Sequence, residues 1–216
     1  MMTYHPETDQ LLEYTAGSLH PSISLCISVH LEYCEQCRQQ CSKLGAIGGA
    51  LLEALEPASI NSSMLNSIWQ RIDANEKSTV ASINVKLSHE DNIPSGVKKL
   101  LDYDMANLHW RRHGPKVRSA ELLNHGGIKA SLIRIQQGAS IPTHGHRGKE
   151  YTVILDGSFS DCNGIYHQGD FLVQNPGDKH SPTATADKDC LCLAVLEAPL
   201  QFNNVLYEAF NRLVPL

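Results

Sequence analysis

The sequence predicts a multidomain α and β chain: a four-helix domain over residues 1–75, a polar linker over 76–93 and an antiparallel β-barrel or sandwich domain over 94–216. Three observations carry this division. Apolar residues recur at helical spacing up to residue 74. Residues 75–93 are polar with little periodicity. After Pro94 come short apolar runs at 130–135, 151–155, 159–161, 164–167, 170–174 and 190–197, punctuated by Gly, Pro, Asn and Asp, the texture of antiparallel strands.

The first helix covers residues 6–17, with Leu11, Leu12 and Tyr14-Thr15-Ala16 as its apolar stripe and Gly17 as its C-cap. Pro21-Ser22 opens a second helix that runs to about residue 44 and stops near Gly45. A short third helix spans 45–55 and ends before Pro57. A fourth spans 59–74, where Ile60, Met64, Leu65, Ile68, Trp69 and Ile72 keep helical spacing. That stripe has two readings: core packing, or a face that closes on a partner with Trp69 as its anchor. A further short helix is expected over 97–108, and the closing stretch 207–213 reads as helix or strand.

Within the second helix stands His30-Leu-Glu-Tyr-Cys34-Glu-Gln-Cys37. At roughly 100° per residue, positions 30, 34 and 37 fall within about 60° of one another. One imidazole and two thiols on one face are three of the four ligands a structural Zn²⁺ takes. The fourth must come from elsewhere, and His5 and Cys41 are the candidates. His5 is preferred because it precedes a separate helix that the metal would clip to the second; Cys41 lies about one turn too far along. A helical domain of this size has a thin core, which a metal cross-link remedies.

The barrel region carries a second constellation. His144 and His146 are two apart and point the same way on a strand. Glu150 follows, and Asn175-Pro176-Gly177 leads to His180. Three imidazoles and a carboxylate converging in a barrel make a mononuclear site with open positions, suited to Zn²⁺, Fe²⁺, Mn²⁺ or Ni²⁺. His20, His89, His109, His113, His125 and His167 read as solvated or locally hydrogen-bonded. Cys190 and Cys192 share a strand face, as buried small hydrophobes or as a redox-responsive pair; with Cys162 they would form a cluster of oxidisable sulfurs near the barrel metal.

Charge narrows the function. Residues 1–75 hold three Lys/Arg and eight Asp/Glu, a net −5, while residues 76–216 hold 15 of each. An acidic module is a poor nucleic-acid binder and a good match for a basic protein surface. No apolar run of about 20 residues is present, so no membrane span is expected. The N-terminus lacks the basic and apolar regions of a signal peptide. Seven cysteines without a secreted disulfide pattern fit a reducing cytoplasm.

The stretch His30-x3-Cys34-x2-Cys37 with upstream His5 resembles the zinc-binding anti-sigma domain of proteins that hold bacterial sigma factors inactive. Gly138-x5-His144-x-His146-x3-Glu150-x6-Gly157, followed by Pro176-Gly177-x-x-His180, resembles the two cupin motifs. In the second motif six residues rather than five separate Gly169 from Pro176. Both halves in this order resemble the ChrR-type anti-sigma factors, over most of the chain.

The resemblance implies a jelly-roll cupin behind the helical domain. It implies zinc on His5, His30, Cys34 and Cys37, and a cupin metal, zinc foremost, on His144, His146, Glu150 and His180. It implies a group IV sigma factor held 1:1 by the helical domain, and release under singlet oxygen or related oxidants. Cys190-x-Cys192 falls where that family has a Cys-x-Cys. The competing expectation is a metal-dependent cupin dioxygenase or isomerase with an accessory zinc domain, for which Tyr151 and Glu121 are the weak acid–base candidates. A third is a barrel metal that is structural only.

Overall fold

The computed structural model describes residues 2–75, 94, 97 and 108–202. The expected linker, the helix over 97–108 and the closing stretch 207–213 lie outside the described residues, apart from positions 94, 97 and 108.

Four helices come first among the described residues: α1 (Thr8–Ala16), α2 (Pro21–Tyr33), α3 (Glu35–Glu53) and α4 (Ser62–Asn75). Helix α1 ends as expected, with Gly17 at φ 72° sending its N–H back to the last turn. The expected single helix over 21–44 is two helices. Cys34 sits at φ −107°, ψ 104°, outside the helical region, and closes α2 while its sulfur accepts the N–H of Cys37 to open α3. Gly45 does not stop the chain; α3 runs through it and absorbs the expected third helix. One helix turn at Cys34 is thus exchanged for a thiol placed at a helix start.

The barrel strands are β1 (Arg111–Arg112), β2 (Val117–His125), β3 (Ile128–Ile135), β4 (His144–Gly145), β5 (Glu150–Asp156), β6 (Ser158–Ser160), β7 (Ile165–His167), β8 (Phe171–Gln174), β9 (Lys179–His180), β10 (Thr183–Ala184), β11 (Cys190–Leu196) and β12 (Gln201–Phe202). They form a six-stranded sheet in the order β1-β2-β3-β11-β5-β8 and two three-stranded sheets, β10-β6-β7 and β12-β4-β9. The paired strands described are antiparallel, and His144 stands directly across from His180 in the β4–β9 ladder. That register puts two imidazoles side by side.

Strand β11 is buried at every position. Such a run means both faces of the sheet are covered. Cys190, Cys192, Ala194 and Leu196 face the barrel interior with Ile133, Ile154, Phe159 and Leu172. Leu191, Leu193 and Val195 face the other way, onto Ile23, Cys26, Ile27 and Val29 of α2. Helix α2 therefore lies on the outside of the large sheet, and Ser22 Oγ donates to Ile128 O at 3.1 Å across the join. The thin core of the helical segment is completed by the barrel.

Among the described residues, helix α4 receives no such cover. From Gly45 to Ala74 every described side chain is exposed. Core packing, the first reading of the α4 stripe, does not occur here: Ile60, Met64, Leu65, Ile68, Trp69 and Ile72 are 45–69% exposed.

Candidate metal centres

The helical group forms where the chain start, α2 and the Cys34 break meet. One ligand atom each from His5, His30, Cys34 and Cys37 lies within 4.8 Å of every other. His5 Nδ1 is 3.4 Å from Cys34 Sγ and 3.5 Å from Cys37 Sγ, and His30 Nε2 is 3.3 Å from Cys37 Sγ. A tetrahedral ion with bonds of about 2.0–2.3 Å sets neighbouring N and S ligands roughly 3.3–3.8 Å apart, so the group matches that shape. Of the two candidates for the fourth position, the structure brings in His5. Cys41, half-buried further along α3, is outside the group.

His30 is fully buried, and its Nδ1 faces the carbonyl of Gly169 at 2.6 Å. A carbonyl only accepts, so Nδ1 carries the hydrogen and Nε2 turns a lone pair inward. Burial lowers the His30 pKa to about 4, against a smaller raising effect of the Gly169 hydrogen bond. The imidazole is held neutral, the form that binds a metal. Burial, with Cys34 adding to it, pushes Cys37 up to about 12. A thiol so placed ionises only with a cation beside it.

The barrel group is His144, His146, Glu150 and His180, all buried, again with ligand atoms within 4.8 Å. His144 Nδ1 donates to Pro142 O at 2.9 Å, and His180 Nδ1 donates to Asp161 Oδ2 at 3.1 Å. Their Nε2 atoms then present lone pairs to each other at 2.9 Å. Two lone pairs that close repel unless a cation lies between them. Both ring nitrogens of His146 and Oε2 of Glu150 are buried without a hydrogen-bond partner, with His146 Nδ1 3.3 Å from Glu150 Oε2; a metal would take up one of those nitrogens and the carboxylate oxygen, which otherwise stay buried and unpaired at a cost in free energy. Burial lowers His144 to about 3 and His146 to about 4, in each case helped by His180, and raises Glu150. The donor set fits a divalent ion on both counts.

Around the barrel group lies a cavity of about 20 Å³ lined in part by Phe159, Cys192 and Leu200. Cys190 and Cys192 do share the barrel-facing side, both buried, while Cys162 is exposed on an open pocket behind His180. Neither acid–base candidate reaches the group. Tyr151 points to the α2 side and donates to Glu197 at 3.1 Å, and Glu121 is at the surface with Lys129 3.9 Å away. Among the remaining histidines, His20 caps α2 by accepting the N–H of Ser22, and His113 pairs with Ser119 at 2.7 Å.

Three residues shape both groups: Asp161 and Asp170, to which sequence reasoning gave no role, and Gly169, which it met only as a loosely fitting motif glycine. Gly169 orients His30. The buried Asp170 accepts the N–H groups of Thr3 and Tyr4, the residues just before His5. Asp161 orients His180. No local spacing announces these roles, because each acts on a residue far away in the chain.

Fold and ligand groups together define a cupin-class barrel protein with an appended helical metal-binding module. A family model for the ChrR cupin-like domain matches residues 99–199. The anti-sigma-E factor ChrR of Cereibacter sphaeroides is 32% identical over 207 residues, 95% of each chain. The crystal structure of Rhodobacter sphaeroides SigE in complex with the anti-sigma ChrR matches at TM-score 0.77 and 29% identity, over 91% of this chain and 99% of that one. An RmlC-like cupin protein from Ralstonia eutropha matches 48% of this chain and 71% of its own at TM-score 0.43 and 19% identity. The chain belongs to the ChrR family of anti-sigma factors.

Proposed function

We propose that this chain is a cytoplasmic anti-sigma factor that binds one group IV sigma factor through residues 1–75 and blocks its use in transcription. The observation that carries this is the exposed apolar segment from the second half of α3 through α4. Ile47, Leu51, Leu52, Leu55, Leu65, Ile68 and Trp69 are 45–70% exposed on a module of net charge −5. An apolar patch of this extent marks an interaction site, and the acidity suits a partner basic enough to bind DNA. The relative of known structure is in complex with SigE, which supports the choice of occupant. The helical ion is Zn²⁺, since two thiolates and two imidazoles are its preferred tetrahedral set. His5, His30, Cys34 and Cys37 hold it.

The barrel ion is a divalent metal, Zn²⁺ first, held by His144, His146, Glu150 and His180. We assign to the barrel domain, 94–216, the release of the sigma factor under singlet oxygen or related oxidants, with 76–93 as the connection. Co-expression with a group IV sigma factor from the same genome should yield a 1:1 complex under reducing, zinc-replete conditions. Separate elution of the two proteins would overturn the proposal.

A further inference from the structure

One segment of the barrel, residues 161–171, touches both ligand groups. At its start the Asp161 side chain is fully buried. One of its oxygens accepts from His180 Nδ1 at 3.1 Å; the other accepts from the Tyr166 hydroxyl at 3.0 Å and the Asn163 N–H at 2.8 Å. At its end Gly169 O takes the Nδ1–H of His30 at 2.6 Å. Asp170 takes the N–H groups of Thr3 and Tyr4 at 3.1 and 3.4 Å, and Phe171 N–H donates to Tyr4 O at 3.0 Å. The residues leading into His5 are thereby fixed to the barrel.

Tyr166 joins the two ends. Its hydroxyl holds the carboxylate that orients His180, and its ring meets that of Tyr4 edge-on at 4.8 Å. The segment between is itself tied: His167 N–H to Asp170 Oδ2 at 2.9 Å, Asp170 N–H to His167 O at 3.0 Å and Gly169 N–H to Ile154 O at 2.8 Å. It has little room to move one end without the other. Gly169 shows how close the fit is: a Cβ there, at φ +91°, would stand 2.9 Å from Tyr33 Cβ and 2.7 Å from Met2 Cε.

We propose that residues 161–171 are a shared outer shell of the two metal sites, with Asp161, Tyr166 and Gly169 as positioning residues, so that an ion in the barrel slows loss of the ion from the helical site. An ion between the inward lone pairs of His144 and His180 fixes His180, and with it Asp161 and Tyr166. Removing that ion leaves those lone pairs 2.9 Å apart and unscreened, and the strain passes along the segment to Gly169 and to the Tyr4–His5 approach. Outer-shell partners of this kind change metal affinity by roughly 10–100-fold. Energetic coupling between two sites is reciprocal and commonly about 5–150-fold.

The proposal rests on the reading that both groups hold a metal. Its test uses the full chain loaded with Co²⁺, where thiolate-to-metal charge-transfer absorption reports the helical site alone, through Cys34 and Cys37. The rate at which excess chelator bleaches that band is compared in the native chain, His146→Ala, Tyr166→Phe and the double variant. Metal counts per chain are taken alongside. Glu150→Gln, which keeps side-chain volume, repeats the barrel-emptying arm. We expect two ions in the native chain and one in the barrel variants, with bleaching roughly ten-fold faster once the barrel is empty. Tyr166→Phe, which keeps the ring on Tyr4, should bleach faster alone and show no added effect of His146→Ala. Equal rates in native and barrel-emptied chains with the expected metal counts overturn the coupling alone. Fewer than two ions in the native chain overturn the two-metal reading and the coupling together.

Discussion

The two ligand groups are made of similar parts and supported differently. The barrel group draws its ligands from two sheets of one barrel: His144 and His180 face each other in register on β4 and β9, and Glu150 starts β5 of the large sheet. Its scaffold has a core of its own, Ile133, Ile154, Phe159 and Leu172 among others. The helical group gathers His5 from ahead of α1, His30 from α2, Cys34 from the break between α2 and α3, and Cys37 from the first turn of α3. It also borrows Gly169 and Asp170 from the barrel to aim its imidazoles. In the barrel, the fold places the ligands. In the helical module, the ligands help to place the fold.

That contrast sets the size of the effects. Replacing both Cys34 and Cys37 by Ser should be the most damaging change. Structural zinc contributes apparent folding energies of about 10–16 kcal/mol in small peptides, and even a few kcal/mol would lower the melting temperature of a chain this long by roughly 10 °C. Calorimetry should show that drop together with loss of sigma-factor binding. His144→Ala, by contrast, should remove one ion and leave sigma binding intact while impairing release under oxidant, read as transcription from a sigma-dependent promoter.

Trp69→Ala separates binding from folding. The ring is 56% exposed, so the melting temperature should hardly move. An anchor residue of this kind costs about 2 kcal/mol or more in a complex, roughly a 30-fold weaker dissociation constant. Unchanged affinity would place the partner elsewhere. Gly169→Ala sharpens the comparison from the barrel side. Strain at its positive φ and overlap with Tyr33 should cost about 1–3 kcal/mol and perturb the Cys34–Cys37 charge-transfer band more than the barrel metal.

A separate effect is the acid limb of the metal-stripped chain. His30, His144 and His146 have folded pKa values of about 4, 3 and 4, below the ordinary 6.5. Between pH 6.5 and about 4.5 these three take up protons on unfolding, while Glu150, raised by burial, gives one up. The unfolded chain binds more protons, so stability should fall as pH drops through that window. A denaturant midpoint independent of pH between 6.5 and 4.5 would contradict this.

Much of this was legible in the sequence. Short apolar runs and turn residues located β3, β5 to β8 and β11, and motif spacing together with the family resemblance named the eight residues that the structure gathers into two groups. The helix boundary at Cys34 was not legible, because the usual capping residues are Ser, Thr, Asp and Asn, and here a thiol takes that place. Gly45 misled for the opposite reason: with Thr15 Cγ2 at 3.7 Å from where its Cβ would be, it serves contact between α1 and α3 rather than a helix stop. The docking of α2 on the sheet was hidden as well. The unbroken apolar run of β11 signals a second covered face but does not say what covers it. The roles of Asp161 and Gly169 escape for a related reason, since each matters through a partner more than 15 residues away in the chain.

The most direct measurement is a calorimetric titration of the full chain with its sigma factor, before and after removal of the helical-site ion. The zinc-loaded protein should bind one sigma factor per chain, and the stripped protein should bind none until zinc is restored. Equal binding by the stripped protein would show that the acidic module holds its partner without the metal.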